Sequence, residues 1–100
     1  MRPIHLARLD KTRPVLVLTR EAVRPYVTRV TVAPITGTIR GLSTEVALDP
    51  ERNGVDKECV VSCDNIVTVP ADALGRVIGR LRPEQETELT QAILAAFDLE

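Results

Sequence analysis

Two residues, Arg13 and Thr36, carry side chains suited to chemistry on a phosphodiester. Each is predicted to lie where a strand meets a loop, the place where a rigid scaffold usually holds functional side chains. An arginine supplies fixed cationic donors for the negative charge that a phosphodiester gains in a pentacoordinate transition state. A threonine hydroxyl can donate to the same oxygens or orient an attacking hydroxyl. The pair therefore indicates a candidate phosphodiester site.

Other catalytic chemistries are disfavoured by the residue inventory. His5 is the single histidine, which excludes a two-histidine acid–base pair within one chain, and it is predicted to be a packed or surface residue of a strand. Cys59 and Cys63 would be about 13 Å apart along an extended strand. Disulfide formation needs Cα atoms within about 7 Å, so pairing would require a sharp turn at Cys63. We expect two buried, reduced cysteines, no metal site and no cofactor.

The formal net charge of −1 hides a strong asymmetry along the chain. Residues 1–44 carry eight basic and two acidic side chains, a net +6, whereas residues 45–100 carry five basic and twelve acidic ones, a net −7. Such an imbalance predicts a basic functional surface on the first half. Tyr26 and Phe97 are the two aromatic residues, which disfavours RNA-recognition modules that stack bases on several aromatic rings.

The remaining pattern is that of short strands followed by one helix. Valine and threonine together supply 23 residues, a strong strand bias. Strands are predicted at 4–9, 14–19, 27–34, 44–48 and 75–81, with 59–62 and 65–69 forming two strands or one bent strand. The Asn53-Gly54 pair predicts a hairpin turn within 50–54, and residues 70–74 predict one helical turn.

The C-terminal segment changes to a helical period. Apolar residues recur with the spacing of an amphipathic helix at Leu89, Ala92, Ile93, Ala96 and Phe97. Pro83 suits the first turn of that helix. The predicted fold is mainly β, a strongly bent antiparallel sheet or partial barrel of five to seven strands with a C-terminal helix, in a single domain over 1–100. No apolar stretch is long enough to span a membrane, and we expect a cytoplasmic protein.

Several short motifs, in order, resemble the MazF/PemK family of type II toxin endoribonucleases. They are RPVLVL at 13–18, VAPIT at 32–36, GLSTEV at 41–46, VVSCDNIVTV at 60–69 and IGRL at 78–81. The resemblance covers roughly residues 3–98. It implies an SH3-like barrel with a C-terminal helix, similar to the CcdB and MazF toxins, acting as a homodimer. It also implies a cognate antitoxin whose acidic tail competes for the RNA groove.

The implied activity is metal-independent, sequence-specific cleavage of single-stranded RNA, whether messenger, ribosomal or transfer RNA. The 2′-hydroxyl would attack the adjacent phosphorus and leave a cyclic phosphate and a 5′-hydroxyl. The family's catalytic arginine and threonine correspond to Arg13 and Thr36. A guanidinium is a poor general acid, because its pKa exceeds about 12, so we expect Arg13 to stabilise charge. Asp10 and Asp64 are both candidates for the general base. The residues expected to contact RNA are Lys11, Thr12, Thr38, Arg40, Asp64 and Asn65.

The sequence departs from the family pattern at three places. The usual glycine and acidic residue before the first strand are replaced by Met1-Arg2-Pro3-Ile4. The first loop is cut to residues 10–12, so the family's cut-site specificity does not carry over. Gly37 stands where a serine or threonine often follows the catalytic threonine.

Two other functions compete with RNA cleavage. The same barrel serves non-catalytic toxins of the CcdB type, which bind DNA gyrase through the end of the C-terminal helix. This chain ends in AFDLE, without the tryptophan-containing terminus of that group. The other alternative is a barrel that binds a partner protein, with the charge asymmetry serving assembly.

Overall fold

The framework of the protein is a curled antiparallel sheet, seen in a computed structural model that describes residues 2–99. Its strands are β1 (Pro3–Arg8), β2 (Thr12–Val17), β3 (Arg29–Thr36), β4 (Glu45–Leu48), β5 (Cys59–Ser62), β6 (Val67–Pro70) and β7 (Leu74–Arg80). The helices are α1 (Pro50–Asn53) and α2 (Pro83–Ala96), with 3₁₀ turns at Glu21–Tyr26, Cys63–Asn65 and Ala71–Ala73. The predicted mainly β fold with a C-terminal helix is confirmed.

Strand β3 is the centre of the sheet. The strand order is β4-β5-β3-β2-β1-β7, and β6 also pairs with β3. The first half of β3, Arg29 to Val32, pairs with β6, whereas Ile35 and Thr36 pair with β5. The segment predicted as two strands or one bent strand is therefore two strands, separated by the 3₁₀ turn at Cys63–Asn65.

Two prolines, Pro14 and Pro34, do not mark the ends of β2 and β3 as predicted. Pro14 was expected to begin β2 and Pro34 to end β3, but both strands reach two residues beyond these positions, toward the loops. Thr12 and Arg13 pair with β1, and β3 continues to Thr36. A proline removes one backbone donor, but its neighbours can still pair with the strand on the other side. Arg13 and Thr36 therefore lie in the terminal residues of β2 and β3, where each strand meets a loop.

The predicted hairpin turn at Asn53-Gly54 is wrong. The segment forms α1, where the Asp49 carboxylate accepts a hydrogen bond from the backbone N–H of Arg52 at 2.8 Å. Pro50 occupies the first helical position and Gly54 ends the helix in the left-handed region at φ 76°. These signals begin and end a helix, and they outweigh the Asn-Gly turn preference. Strands β4 and β5 remain antiparallel across this longer connection.

Apolar side chains are buried on both faces of β2. Leu16 belongs to a cluster that α2 covers with Leu89 and Ala92, whereas Val15 and Val17 belong to a second cluster with side chains from β3. Alternation along a strand places neighbouring side chains on opposite faces. The nearly continuous apolar run of β2 therefore reflects burial on both faces, which anchors Arg13 at the end of the strand.

A buried amide pair joins α1 to α2. The Asn53 side chain donates to Gln85 Oε1 at 2.7 Å, and the Gln85 side chain donates to Asn53 Oδ1 at 3.1 Å. The same Gln85 oxygen accepts from the backbone N–H of Arg82, which caps the start of α2. A Cβ at Gly79 would lie 1.7 Å from the Asn53 carbonyl oxygen, so β7 needs glycine there.

Candidate active site

Arg13 and Thr36 lie at neighbouring ends of β2 and β3 and line the same pockets. The two strands pair Val17 with Val32, Leu16 with Ala33 and Val15 with Pro34. Beyond the last of these pairs the partners change: Arg13 pairs with Ala7 of β1, and Thr36 pairs with Val60 of β5. Both side chains are partly exposed, and both line the same two surface pockets. The tertiary structure therefore brings together the two residues that the sequence singles out as catalytic.

A bidentate ion pair orients the Arg13 side chain. Its Nε donates to Asp10 Oδ1 at 2.9 Å, and a terminal nitrogen donates to Oδ2 at 3.0 Å. The hydrogen bond from Arg13 is the largest cause that lowers the pKa of Asp10 from 3.8 to about 2, and the pKa of Arg13 is raised in return. The pair occupies one edge of the guanidinium. Because a guanidinium has five N–H donors, three remain available on its other edges.

The Thr36 hydroxyl is oriented by the backbone that follows it. Its oxygen accepts a hydrogen bond from the N–H of Thr38 at 3.1 Å. Within residues 2–99 the hydroxyl hydrogen has no acceptor of its own. A hydroxyl carries one donor in addition to its lone pairs, so Thr36 can donate to an anionic oxygen in either pocket.

Two pockets of about 570 Å³ each flank the Arg13–Thr36 pair. We call the first the polar pocket, and its polar lining residues are Asp10, Arg13, Thr36, Thr38, Arg40, Glu45, Ser62, Asp64 and Asn65. We call the second the basic pocket, and its charged lining residues are Lys11, Arg13, Asp56, Lys57 and Arg76. Arg13 and Thr36 belong to both linings, so they form the boundary between the two pockets.

Hydrogen bonds hold the wall of the polar pocket. Glu45 Oε1 accepts from the backbone N–H groups of Arg40, Gly41 and Leu42 at 3.2, 2.9 and 3.2 Å. Asp64 accepts from the Thr44 hydroxyl at 2.6 Å. These contacts fix the loop between β3 and β4, which carries Thr38 and Arg40, before any ligand enters.

The predicted RNA-contacting residues divide between the two pockets. Thr38, Arg40, Asp64 and Asn65 line the polar pocket. Lys11 and Thr12 line the basic pocket. Whether they contact RNA stays a prediction, but all six lie beside the Arg13–Thr36 pair.

Sequence reasoning missed Lys57 and Arg76, which complete the basic pocket. Lys57 follows α1 in the chain, and Arg76 lies within β7. Neither belongs to a motif, and only the curl of the sheet brings them to Thr36. Lys57 lies against Gly37, because a Cβ on that glycine would lie 3.1 Å from both Cε and Nζ of the lysine.

His5 and Cys63 line neither pocket, whereas Cys59 lines the basic pocket. His5 shares a hydrogen bond of 2.8 Å between its Nδ1 and the Gly75 carbonyl oxygen, as a packed strand residue. Cys59 and Cys63 are both free and buried, as predicted. Burial raises the pKa of the Cys59 thiol and raises that of Cys63 to about 11.

No helix within residues 2–99 is long and apolar enough to cross a membrane. The same residues contain no group of three or more histidine, cysteine, aspartate or glutamate side chains arranged to hold a metal ion.

A curled antiparallel sheet with a C-terminal helix, carrying an arginine and a threonine at two neighbouring strand ends, is an architecture found in small barrel toxins. Residues 4–97 match the family described as PemK-like, MazF-like toxin of type II toxin-antitoxin system. The chain therefore belongs to the PemK/MazF toxin family.

Relatives and solved structures agree with this assignment. The chain is 61% identical over 100 residues to Endoribonuclease MazF3 of Mycobacterium tuberculosis (strain CDC 1551 / Oshkosh), covering 100% of this chain and 96% of the relative. The structure of the Mycobacterium tuberculosis toxin MazF-mt6 has a TM-score of 0.95 at 61% identity and covers 99% of both chains. An endoribonuclease from a mycobacterial species, in complex with its cognate antitoxin, has a TM-score of 0.85 at 25% identity, over 98% of this chain and 93% of that one.

Proposed function

We propose that this toxin is a sequence-specific endoribonuclease that cleaves single-stranded RNA without a metal ion and thereby stops growth. The observation that carries the proposal is that Arg13 and Thr36 both line two adjoining pockets large enough for nucleotide groups. The relatives named as endoribonucleases support the same activity. The chain acts as one unit over residues 1–100, in the cytoplasm where RNA is translated.

In the proposed reaction the RNA supplies its own nucleophile. The 2′-oxygen forms a bond to the adjacent phosphorus, the bond from phosphorus to O5′ breaks, and the products are a cyclic phosphate and a 5′-hydroxyl. The free donors of Arg13 and the Thr36 hydroxyl stabilise the charge on the phosphoryl oxygens. Because Arg13 is a fixed cation beside the reacting group, the site supplies positive charge without a metal.

Of the two candidate bases, we assign Asp64 to accept the 2′-hydroxyl proton. The Asp10 carboxylate has both oxygens engaged by Arg13, and its pKa of about 2 makes it a weak proton acceptor. Asp64 faces the polar pocket and accepts one hydrogen bond, from Thr44. The leaving O5′ takes its proton from water in the open pocket.

The toxin is further proposed to act as a homodimer and to be held inactive by a cognate antitoxin. The solved complex of a related endoribonuclease with its cognate antitoxin supports the antitoxin part of this proposal. An acidic antitoxin tail would be attracted to the same basic side chains that attract RNA. Light scattering of the purified protein tests the dimer: a monomeric mass at micromolar concentration would contradict it.

Cleavage is tested by mapping the 5′ ends that purified protein creates in RNA, in the presence of a chelator. We expect cuts at one short motif with 5′-hydroxyl ends. Arg13→Ala and Thr36→Ala should each lower kcat by about 10²–10³-fold, the usual cost of one charge-stabilising donor. Both variants should also relieve growth arrest on induction.

Matched controls are available in the same chain. Arg20 and Thr90 are exposed and lie outside both pockets, so Arg20→Ala and Thr90→Ala should retain wild-type cleavage. Circular dichroism should give the wild-type spectrum for all four variants. Wild-type cleavage in Arg13→Ala and Thr36→Ala would refute this site.

A further inference from the structure

The two pockets beside the Arg13–Thr36 pair carry opposite charge. Apart from the shared Arg13, the polar pocket holds three carboxylates and one cation, Arg40. The basic pocket, again apart from Arg13, holds three cations and one carboxylate, Asp56. A phosphate group is a permanent anion at neutral pH. The basic pocket therefore favours a phosphate group, whereas the polar pocket, with its excess of carboxylates, disfavours one.

The cations of the basic pocket are not neutralised by partners. Within residues 2–99, the ion pairs join Arg2 to Glu86, Arg13 to Asp10 and Arg52 to Asp49. Lys11, Lys57 and Arg76 are in none of them. Their charge is therefore available to an anionic ligand, whereas the charge of Arg13 is already shared with a carboxylate.

Lys57 is the basic-pocket cation whose position is defined next to the reacting pair. Its Cε and Nζ lie against Gly37, the residue that follows Thr36, where any side chain would crowd them at 3.1 Å. Arg76 lines the same pocket from β7, so the two cations approach it from different elements. A group held between them would lie beside Thr36, on the side away from the polar pocket.

We propose that Lys57 and Arg76 bind a non-scissile phosphate of the RNA. This phosphate lies next to the scissile phosphate, which Arg13 and Thr36 contact. The polar pocket takes a base, whose edge its amide and carboxylate groups can read. RNA is thereby bound in one direction across the Arg13–Thr36 boundary. The inference rests on the proposed RNA cleavage and adds the residues that bind the backbone and set its polarity.

The salt dependence of RNA affinity tests the first part of this inference. The probe is a fluorescent 2′-O-methyl oligouridylate, which cannot be cleaved because its 2′-oxygens are blocked. For single strands, each phosphate contact contributes about 0.7 to the slope of log K against log salt. Between about 50 and 200 mM salt, Lys57→Gln and Arg76→Gln should each lower the magnitude of that slope by up to about 0.7. Arg20→Gln, an exposed cation outside both pockets, should leave it unchanged.

A neutral methylphosphonate at single positions of the mapped target then locates the phosphate. In the wild type, the substitution beside the scissile position should weaken binding about tenfold or more, and in Lys57→Gln, where only Arg76 still contacts that phosphate, the loss should be clearly smaller. Wild-type slopes in both variants, or full sensitivity to the methylphosphonate in Lys57→Gln, would overturn the inference while wild-type cleavage still supports the proposed function. If the wild type cleaves no RNA, the proposed function itself fails.

Discussion

The Arg13 guanidinium donates two parallel hydrogen bonds to the Asp10 carboxylate, at 2.9 and 3.0 Å, across a connection of two residues. Bidentate pairs of this kind fix the plane of the guanidinium as well as its position. The shortened first loop brings Asp10 close enough to make this contact. Arg13, near the start of β2, is therefore oriented by a residue of the loop between β1 and β2 rather than by a distant element.

Titration of Asp10 should report this ion pair directly. Because its pKa is lowered in the folded protein, the stabilisation by the pair is fully present above the ordinary pKa of 3.8 and is lost as the pH falls through about 2. We expect the carboxyl carbon of Asp10 to titrate near 2 by NMR. In Arg13→Ala the midpoint should return toward 3.8, and an unchanged midpoint would contradict the pair in solution.

Glu45 should control the order of the loop that carries Arg40. Its carboxylate accepts from three consecutive backbone N–H groups, so Glu45→Ala leaves them to water. We expect amide hydrogen exchange at residues 40–42 to accelerate at least tenfold and KM for RNA to rise. Glu58→Ala removes an exposed carboxylate near α1 and should change neither measurement. Exchange rates equal to those of the wild type would mean that other contacts hold the loop.

Gln85 should be a major stabilising residue of the fold. Its side chain is 0% exposed, donates to the Ala47 carbonyl and to Asn53, and accepts from Asn53 and Arg82. Gln85→Ala leaves several buried polar groups without partners, each worth about 1–3 kcal/mol, so unfolding in urea should show a loss of about 3 kcal/mol. The control is Gln91→Ala on the exposed face of α2, where a change below about 0.5 kcal/mol is expected.

Both cysteines should be unreactive in the native protein. Burial raises both thiol pKa values, to about 11 for Cys63, so little thiolate is present at neutral pH. We expect no iodoacetamide adduct by mass spectrometry at pH 7.5 without denaturant and two adducts in guanidinium chloride. The exposed variant Q91C provides the positive control. Rapid native labelling of either cysteine would show that its site opens.

Most strands and the C-terminal helix were predictable because they have a local signal. The spacing of Leu89, Ala92 and Ile93 predicted α2, and the strand bias of the chain predicted the strands. The turn at Asn53-Gly54 failed because the capping residue Asp49 and Pro50 compete with it over the same short segment. Local preferences conflicted there, and contacts of Gly54 with β7 accompany the helical outcome.

The sequence by itself determined the candidate pair, because Arg13 and Thr36 each lie within a recognisable motif at a strand end. Only the tertiary structure decided what surrounds them. Lys57 and Arg76 lie far from Thr36 along the chain and belong to no pattern, and the curl of the sheet places them in one pocket with it. The same folding separates the carboxylates from the cations on either side of the pair. Electrostatic environment depends on distance in space, and a linear sequence does not contain that distance.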